Sequence, residues 1–152
     1  MQQAAYLVPP LAPLYRTLSP ITEPALRIAA GLFLVPHGAQ KLFGWFGGYG
    51  LEATGQFFEQ QLGYSNGLLA AAAAGSVEFF GGLLLAIGFL TRLSAGATAV
   101  LLAAALLVHL PNGFFWTEGG YEYPLLWLIV ILTYAVKGGG RYSIDGLIQK
   151  EI

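Results

Sequence analysis

Five ionisable side chains lie within or at the ends of stretches that are otherwise apolar enough to cross a membrane. Arg27, His37 and Lys41 lie in the first stretch, Glu78 lies in the second, and His109 ends the third. A charge in hydrocarbon costs roughly 2.5–3.5 kcal/mol on insertion scales, so such residues usually face the interior of a helical bundle and mark a functional site. The sequence therefore predicts a polar site inside a membrane protein.

His37, Glu78 and Lys41 are the candidates for the chemistry of this site. A helical rise of about 1.5 Å per residue places His37 and Glu78 at nearly the same depth, with Lys41 one turn closer to the outer surface. Histidine can donate to an oxygen atom of a ligand, and a buried carboxylate can carry protons. These residues favour a proton relay or a ligand site. A purely structural hydrogen bond between His37 and Glu78 is the alternative.

The remaining polar candidates lie nearer the outer surface. Lys41 could extend to the lipid headgroups, bind a ligand anion or pair with Glu78. His109 and Glu122 lie at the outward ends of their helices, where an interfacial role is the simpler interpretation. Together with Trp45, they are predicted as ligand contacts at the mouth of the site.

Several other classes of site lack the residues that they require. His37 and His109 differ in depth by roughly 10 Å, which disfavours haem ligation by the pair. The Glu-x-x-His pairs of carboxylate-bridged metal sites do not occur, nor do GxGxxG, P-loop or HExxH motifs. Because the chain contains no cysteine, it cannot run a thiol redox relay by itself. We expect no flavin, haem or metal.

The composition is that of a small integral membrane protein. The chain has 152 residues, of which 56% are hydrophobic and 10% are charged, and this is too apolar for an ordinary soluble domain. The net charge is −1 and the basic residues are scattered, which argues against nucleic acid as a partner. The lipid bilayer is the expected environment.

Hydropathy predicts an all-α protein with four membrane-spanning helices. Thr22 or Glu23 is the expected N-cap of the first, and Pro24 its first residue. We divide the chain into a proline-rich leader (1–23) that is extended or broken, a four-helix domain (24–146) and a short tail (147–152). The predicted spans are approximately Ala25–Phe46, Gly67–Leu90, Leu93–Leu110 and Tyr123–Val136, and loops connect them.

Basic residues predict how the bundle is oriented. All but Lys41 lie near the termini or the short loop between the second and third spans, namely Arg16, Arg27, Arg92, Lys137, Arg141 and Lys150. By the positive-inside rule both termini are cytoplasmic and the two long loops face outward. Aromatic residues of those loops then form an interfacial belt.

Five residues are assigned structural roles, namely Arg27, Pro36, Gly82, Arg141 and Asp145. Pro36 cannot donate to the carbonyl of Leu32 and is predicted to kink the first helix beside His37. Gly82 shares a face of small residues with Ala71 and Gly75, which predicts close helix packing and an inward-facing Glu78. Arg27 is interpreted as a cytoplasmic anchor or a partner of Asp145. Arg141 is the remaining structural candidate.

Taken in order, these segments resemble the DoxX family of small bacterial membrane proteins. The resemblance covers about Arg27 to Gly146 and rests on RIAAGLFLVPHGAQKLFGWFGG, SVEFFGGLLLAIGFLTRL, GYEYPLLWL and GGGRYSIDG. The outward loop is longer than in the shortest members, and the leader has no recognised counterpart.

The resemblance implies a multi-pass four-helix bundle in the bacterial inner (plasma) membrane, associated with sulfur and quinone redox chemistry. The family name comes from a subunit of a thiosulfate:quinone oxidoreductase, and related members are linked to oxidative-stress complexes. Two functions stay open at this point. The chain is either an oxidoreductase subunit with quinone as acceptor, or a non-catalytic accessory subunit of a larger complex. Protein partner subunits or a homo-oligomer are expected in both cases.

Overall fold

A computed structural model describes residues 7–150, and all regular structure within that range is helical. A π-helical turn, Val77–Gly81, joins α3 and α4 into one continuous segment. One 3-10 turn precedes α1, one lies in the first long connection and two lie in the second. The α-helices are α1 (Ala12–Phe43), α2 (Gly50–Leu62), α3 (Gly67–Ser76), α4 (Gly82–Ile87), α5 (Thr91–His109), α6 (Glu122–Lys137) and α7 (Ile144–Ile148).

Three helical segments are long and apolar enough to cross a membrane: Pro9–Phe43, Gly67–Ile87 and Thr91–Asn112. The predicted all-α membrane character is thereby confirmed. The fourth predicted span is the shorter α6, which has 16 residues and a length of about 24 Å against a hydrocarbon core of about 30 Å. It is held to α1 by the Tyr134 hydroxyl, which donates to the carbonyl of Glu23 at 2.8 Å. The four-span count stays a prediction.

The first helix begins earlier than the sequence predicts. It starts at Ala12, so Pro20 and Pro24 lie inside it and neither Thr22 nor Glu23 is an N-cap. Each proline removes one backbone donor without ending the helix, and hydroxyl side chains help to satisfy carbonyls around such positions. Thr22, for example, donates to the carbonyl of Ser19 at 2.9 Å. The predicted extended leader is therefore wrong from Ala12 onward, while residues 1–6 lie outside the described range.

Pro36 also lies inside α1, which continues to Phe43. The kink predicted there stays a prediction. The helix ends at Gly44, whose φ of 71° is a left-handed conformation that glycine adopts without steric cost.

The first long connection contains a helix that the sequence analysis described as a loop. α2 packs against α3, and a side chain at Gly67 would collide with the carbonyl of Gly55. Gly63 ends α2 in the left-handed conformation, with a φ of 72°. The ends of the next spans also shift, because Gly88 terminates α4 and α5 begins at Thr91. α7 reaches into the predicted tail.

Small residues bring α1 against the continuous segment formed by α3, the π turn and α4. A Cβ atom at Gly31 would lie 2.5 Å from the carbonyl oxygen of Gly82, and one at Gly38 would lie 2.6 Å from that of Gly75. The close packing predicted for the face of Ala71, Gly75 and Gly82 is present, and all three are buried. This contact positions Glu78 beside α1.

Candidate functional site

A cavity of about 310 Å³ lies between α1, the π turn, α5 and α6. His37 of α1, Glu78 of the π turn and His109 at the end of α5 line it, together with the Tyr123 hydroxyl and two indole N–H groups. His37 and Glu78, predicted at nearly the same depth, thus line the same cavity. The other lining residues are Ala30, Phe33, Leu34, Leu102, Trp116, Gly119, Gly120, Tyr123, Pro124, Trp127 and Ile131.

Glu78 is oriented by an ion pair with Lys41. The Lys41 Nζ atom lies 2.9 Å from Oε1 and 2.7 Å from Oε2 of the carboxylate. The side chains are 25% and 13% exposed respectively, so the pair is partly buried and its charges are screened less than those of a surface pair. Of the three roles considered for Lys41, pairing with Glu78 is the one that the geometry supports, and Lys41 does not line the cavity.

His37 lies at the cavity without a hydrogen-bond partner among residues 7–150. Within the same range Glu78 receives its hydrogen bonds from Lys41, so the structural His37–Glu78 bond is not formed. His37 is exposed, and its ring is available to a ligand.

The π turn places Glu78 at the point where the second apolar segment passes the cavity. A π turn inserts an extra residue into an α-helix, which changes the direction in which the following side chains point, and such turns are frequent at functional sites. The π turn was not predicted from the sequence. The predicted inward orientation of Glu78 agrees with its 13% exposed side chain.

His109 is fixed by the loop that follows α5. Its Nδ1 atom lies 2.6 Å from the carbonyl oxygen of Gly119, which also accepts a hydrogen bond from Asn112 Nδ2 at 3.1 Å. A carbonyl can only accept, so Nδ1 must carry a proton. The other ring nitrogen, Nε2, has no hydrogen-bond partner in the described part of the chain.

Aromatic rings form the walls of the cavity. Phe33 of α1 meets Trp127 of α6 edge to face, with ring centres 5.8 Å apart, and Trp116 stacks on Tyr123 at 5.2 Å. Because Phe33 is 60% exposed and Tyr123 is 48% exposed, the cavity opens to the surroundings of the helices. Phe33 and Trp127 were not predicted as site residues. The spacing of Tyr123, Trp127 and Ile131 does, however, place these three residues on one face of a helix.

Two predicted ligand contacts do not line the cavity. The Glu122 carboxylate accepts a hydrogen bond from the backbone N–H of Trp116 at 3.2 Å and so ties the loop to α6. Trp45 packs against Phe43 and Phe79, with ring centres 4.9 Å and 6.4 Å away. Of the three predicted contacts at the mouth, His109 alone lies in the cavity wall.

A second polar cluster lies at the other end of the molecule. Arg27 is 1% exposed, and its guanidinium donates to the carbonyls of Leu85 and Ala86 at 2.6 Å and 2.8 Å and to that of Tyr142 at 2.6 Å. Leu85 and Ala86 lie in the last turn of α4, so Arg27 caps that helix where a cation is favoured. The simple anchor interpretation of Arg27 is wrong, because the side chain is enclosed by protein.

Asp145 performs the opposite capping role at the start of α5. Its Oδ1 atom accepts from the backbone N–H of Leu90 at 2.9 Å, and Oδ2 accepts from the N–H and hydroxyl of Thr91 at 2.8 Å and 2.6 Å. Burial opposes ionisation, yet these hydrogen bonds and the charge of Arg27 lower the pKa of Asp145 below its ordinary value. Arg141 lies at the surface, over the ring of Tyr142.

The DoxX family model matches residues 24–110. The chain belongs to the DoxX family. The matched region of this DoxX protein contains His37, Glu78 and His109, whereas the loop and α6 residues of the cavity wall lie beyond it.

One relative of this DoxX protein is an uncharacterized protein from Haemophilus influenzae. The two are 35% identical over 68 residues, which make up 44% of this chain and 45% of the relative. The chain thus spans less than half of the length of that relative. No solved structure matches the chain.

Among residues 7–150, no group of three or more His, Asp or Glu side chains is placed to hold a metal ion. The cavity residues of this DoxX protein instead combine two histidines, one paired carboxylate and several aromatic rings. This set suits an uncharged ring that exchanges hydrogen bonds or protons with the protein.

Proposed function

We propose that this DoxX protein is the membrane subunit of a quinone-linked oxidoreductase system and that its cavity binds a quinone-type head group. The observation that supports this is the cavity itself, in which aromatic walls enclose His37, Glu78 and His109. Its volume of about 310 Å³ lies at the lower end of the range of ligand pockets, about 300–1,000 Å³. There is room for a ring head group but not for its isoprenoid tail.

The isoprenoid tail would leave the cavity through an opening between α1 and α6. Phe33 and Tyr123 line the cavity and are also exposed on the outer surface of these helices. In a bilayer that surface faces lipid, where an isoprenoid chain would lie. A lipid-soluble ligand could therefore enter from the side.

His37 and Glu78 are the residues that we assign to proton handling. Reduction of a bound quinone to a quinol requires electrons and protons. His37 has a ring free of protein partners in the described chain, and Glu78 reaches the same cavity while paired to Lys41. The electrons must come from a partner subunit, because the chain has no cysteine and no recognised flavin or haem motif. The donor would be a sulfur-compound or oxidative-stress redox enzyme.

The membrane arrangement that we propose is a four-helix bundle in the bacterial inner membrane, with both termini cytoplasmic. α6 is the fourth span, and local thinning of the bilayer together with flanking side chains that extend to the headgroups compensates for its short length. The distribution of basic residues supports this orientation.

A non-catalytic accessory subunit is the second candidate function. The Lys41–Glu78 pair joins α1 to the π turn, and such a pair can serve only to hold two helices in register. Exposed aromatic side chains such as Trp45 and Phe46 would then contact partner subunits or a second copy of the chain.

Co-purification distinguishes the two functions. The protein is purified in mild detergent, and bound quinone and protein partners are identified by mass spectrometry. We expect bound quinone or quinol in the parent protein, a reduction of roughly tenfold or more in the total of the two forms in His37→Ala and Glu78→Gln, and no change in the control Glu52→Gln, whose side chain does not line the cavity. Stoichiometric partners without any quinone, in protein that remains folded, would support the accessory function instead.

A further inference from the structure

We propose that the cavity binds the reduced, hydroxyl-bearing quinol form of its ring ligand in preference to the oxidised quinone. This inference rests on the proposed function. It concerns which redox form is favoured, and it is argued from the donors and acceptors that the cavity presents.

His109 presents an acceptor. Its Nδ1 atom donates to the carbonyl of Gly119 at 2.6 Å, so in the neutral ring Nε2 is unprotonated and can only accept. Tautomers of histidine are usually ambiguous, but here the carbonyl partner decides the assignment. A ligand that meets His109 through Nε2 must therefore supply an N–H or O–H group.

Glu78 presents a second acceptor. The carboxylate is ion-paired to Lys41 through both oxygens, and an ionised carboxylate has no proton to donate but has further lone pairs to offer. Lys41 also compensates its negative charge, so the site has little net attraction for an organic cation. The ligand that suits Glu78 is therefore an uncharged hydrogen-bond donor.

The other polar groups of the cavity do not reverse this balance. His37 has no partner among residues 7–150 and can either donate or accept. The indole N–H groups of Trp116 and Trp127 are neutral donors, and the Tyr123 hydroxyl can either donate or accept. A hydrogen bond to the charged carboxylate is roughly twice as strong as a bond between neutral groups, so the acceptor at Glu78 dominates.

Quinone and quinol differ in the hydrogen-bonding groups that their ring oxygens present to this site. The oxygens of a quinone are carbonyl groups and accept only, whereas the hydroxyls of a quinol donate. A bound quinone would leave Nε2 without a donor and the remaining lone pairs of the Glu78 carboxylate unsatisfied, which is costly. Tighter binding of the quinol also raises the midpoint potential of the bound couple, by about 30 mV for each tenfold preference. The bound quinone would thereby become a better electron acceptor.

The preference is measured with decylubiquinone and decylubiquinol, which share a ring and a tail. Each is titrated anaerobically into the full chain in lipid nanodiscs, and the dissociation constants are obtained by calorimetry. We expect the quinol to bind about tenfold more tightly, the effect of one additional hydrogen bond to a charged group. A redox titration of the bound couple should shift upward by about 30 mV.

Two variants test the origin of the preference. Lys41→Met combined with Glu78→Gln removes both charges together and supplies an amide that can donate, so the quinol preference should fall toward parity. His109→Asn retains a donor for the Gly119 carbonyl but lacks a group in place of Nε2, and it should reduce the preference several-fold. Glu52→Gln should leave the ratio unchanged.

The outcomes separate this inference from the proposed function. If neither form binds, the quinone site itself is refuted, and this inference with it. Equal affinities, or tighter binding of decylubiquinone, would refute the inference while leaving the quinone site in place. An unchanged ratio in both variants would likewise refute the assignment of the preference to Glu78 and His109.

Discussion

At the scale of single residues, the ionisable groups of this protein divide into those that a ligand can reach and those that the fold encloses. His37, Glu78 and His109 line a cavity. Arg27 and Asp145 are 1% and 3% exposed and cap the two helix ends on either side of the turn at Gly88–Leu90. That turn contains Leu90 with a φ of 49°, a left-handed conformation that costs a bulky residue roughly 1–3 kcal/mol. The two caps stabilise the turn.

Asp145→Asn tests the cap on α5. The lost hydrogen bonds to a charged group should lower the free energy of unfolding by about 2–3 kcal/mol at neutral pH. Because the pKa of Asp145 is lowered in the folded state, its contribution is present at neutral pH and is lost as the pH falls below the ordinary value of 3.8. The difference between parent and variant should therefore shrink in acid, as measured by chemical unfolding in detergent across pH.

Glu118→Gln is the control for this experiment, since Glu118 is an exposed carboxylate. It should change stability little at any pH. A parent–variant difference for Asp145→Asn that stays constant down to strongly acid pH would contradict the capping role of the ionised carboxylate.

At the scale of helices, close contacts between glycines determine where the polar residues meet. Gly31 faces Gly82 and Gly38 faces Gly75 across the interface between α1 and the second apolar segment. Lys41 is one turn beyond Gly38, and Glu78 is one turn from Gly75 and from Gly82. A wider separation of the helices would therefore weaken the ion pair between Lys41 and Glu78.

Gly31→Ala should destabilise the protein, because the added Cβ atom would lie 2.5 Å from the carbonyl oxygen of Gly82 and 2.6 Å from the backbone nitrogen of Ala86. Overpacking of this kind costs about 1–3 kcal/mol. Gly96→Ala is the matched control in α5, where nothing lies within 4 Å of an added Cβ, and it should stabilise by about 0.5–1 kcal/mol. Thermal unfolding in detergent measures both, and equal effects of the two substitutions would argue against the glycine contact.

At the scale of the whole molecule, the two polar clusters occupy opposite ends. The cavity lies toward the long connections, while the Arg27 and Asp145 cluster lies toward the α4–α5 turn and the C-terminal segment. In the proposed orientation the cavity is thus on the outer side of the membrane and the capped turn is on the cytoplasmic side. A quinone-linked partner that delivers electrons to the cavity would act from the outer half.

This orientation can be measured directly because the chain has no cysteine. Ser65→Cys and Thr117→Cys place a thiol at exposed positions of the two long connections, and Lys150→Cys places one at the other end. A membrane-impermeant maleimide added to intact cells should label the first two, and should label the third only after permeabilisation. The reverse pattern would invert the proposed topology.

Much of the helical framework was predictable from local properties of the chain. Hydropathy located the three segments that are long and apolar enough to cross a membrane. The helical rise predicted that His37 and Glu78 lie at nearly the same depth, and both line the cavity. Proline-based rules failed at Pro20 and Pro24, since hydroxyl side chains such as that of Thr22 help to satisfy backbone carbonyls nearby. α2 was missed because its amphipathic pattern lies among glycines and aromatic residues that are typical of loops.

The sequence by itself determined that this is a helical membrane protein with ionisable residues in its apolar segments, because hydropathy depends on residues close together in the chain. Only the tertiary structure decided the partners of those residues. Lys41 pairs with Glu78, 37 positions away, and Arg27 is enclosed by α4 and the C-terminal segment. Trp127 meets Phe33 in the cavity wall. Such pairings depend on which helix faces approach each other, a property of long-range packing that no single segment encodes.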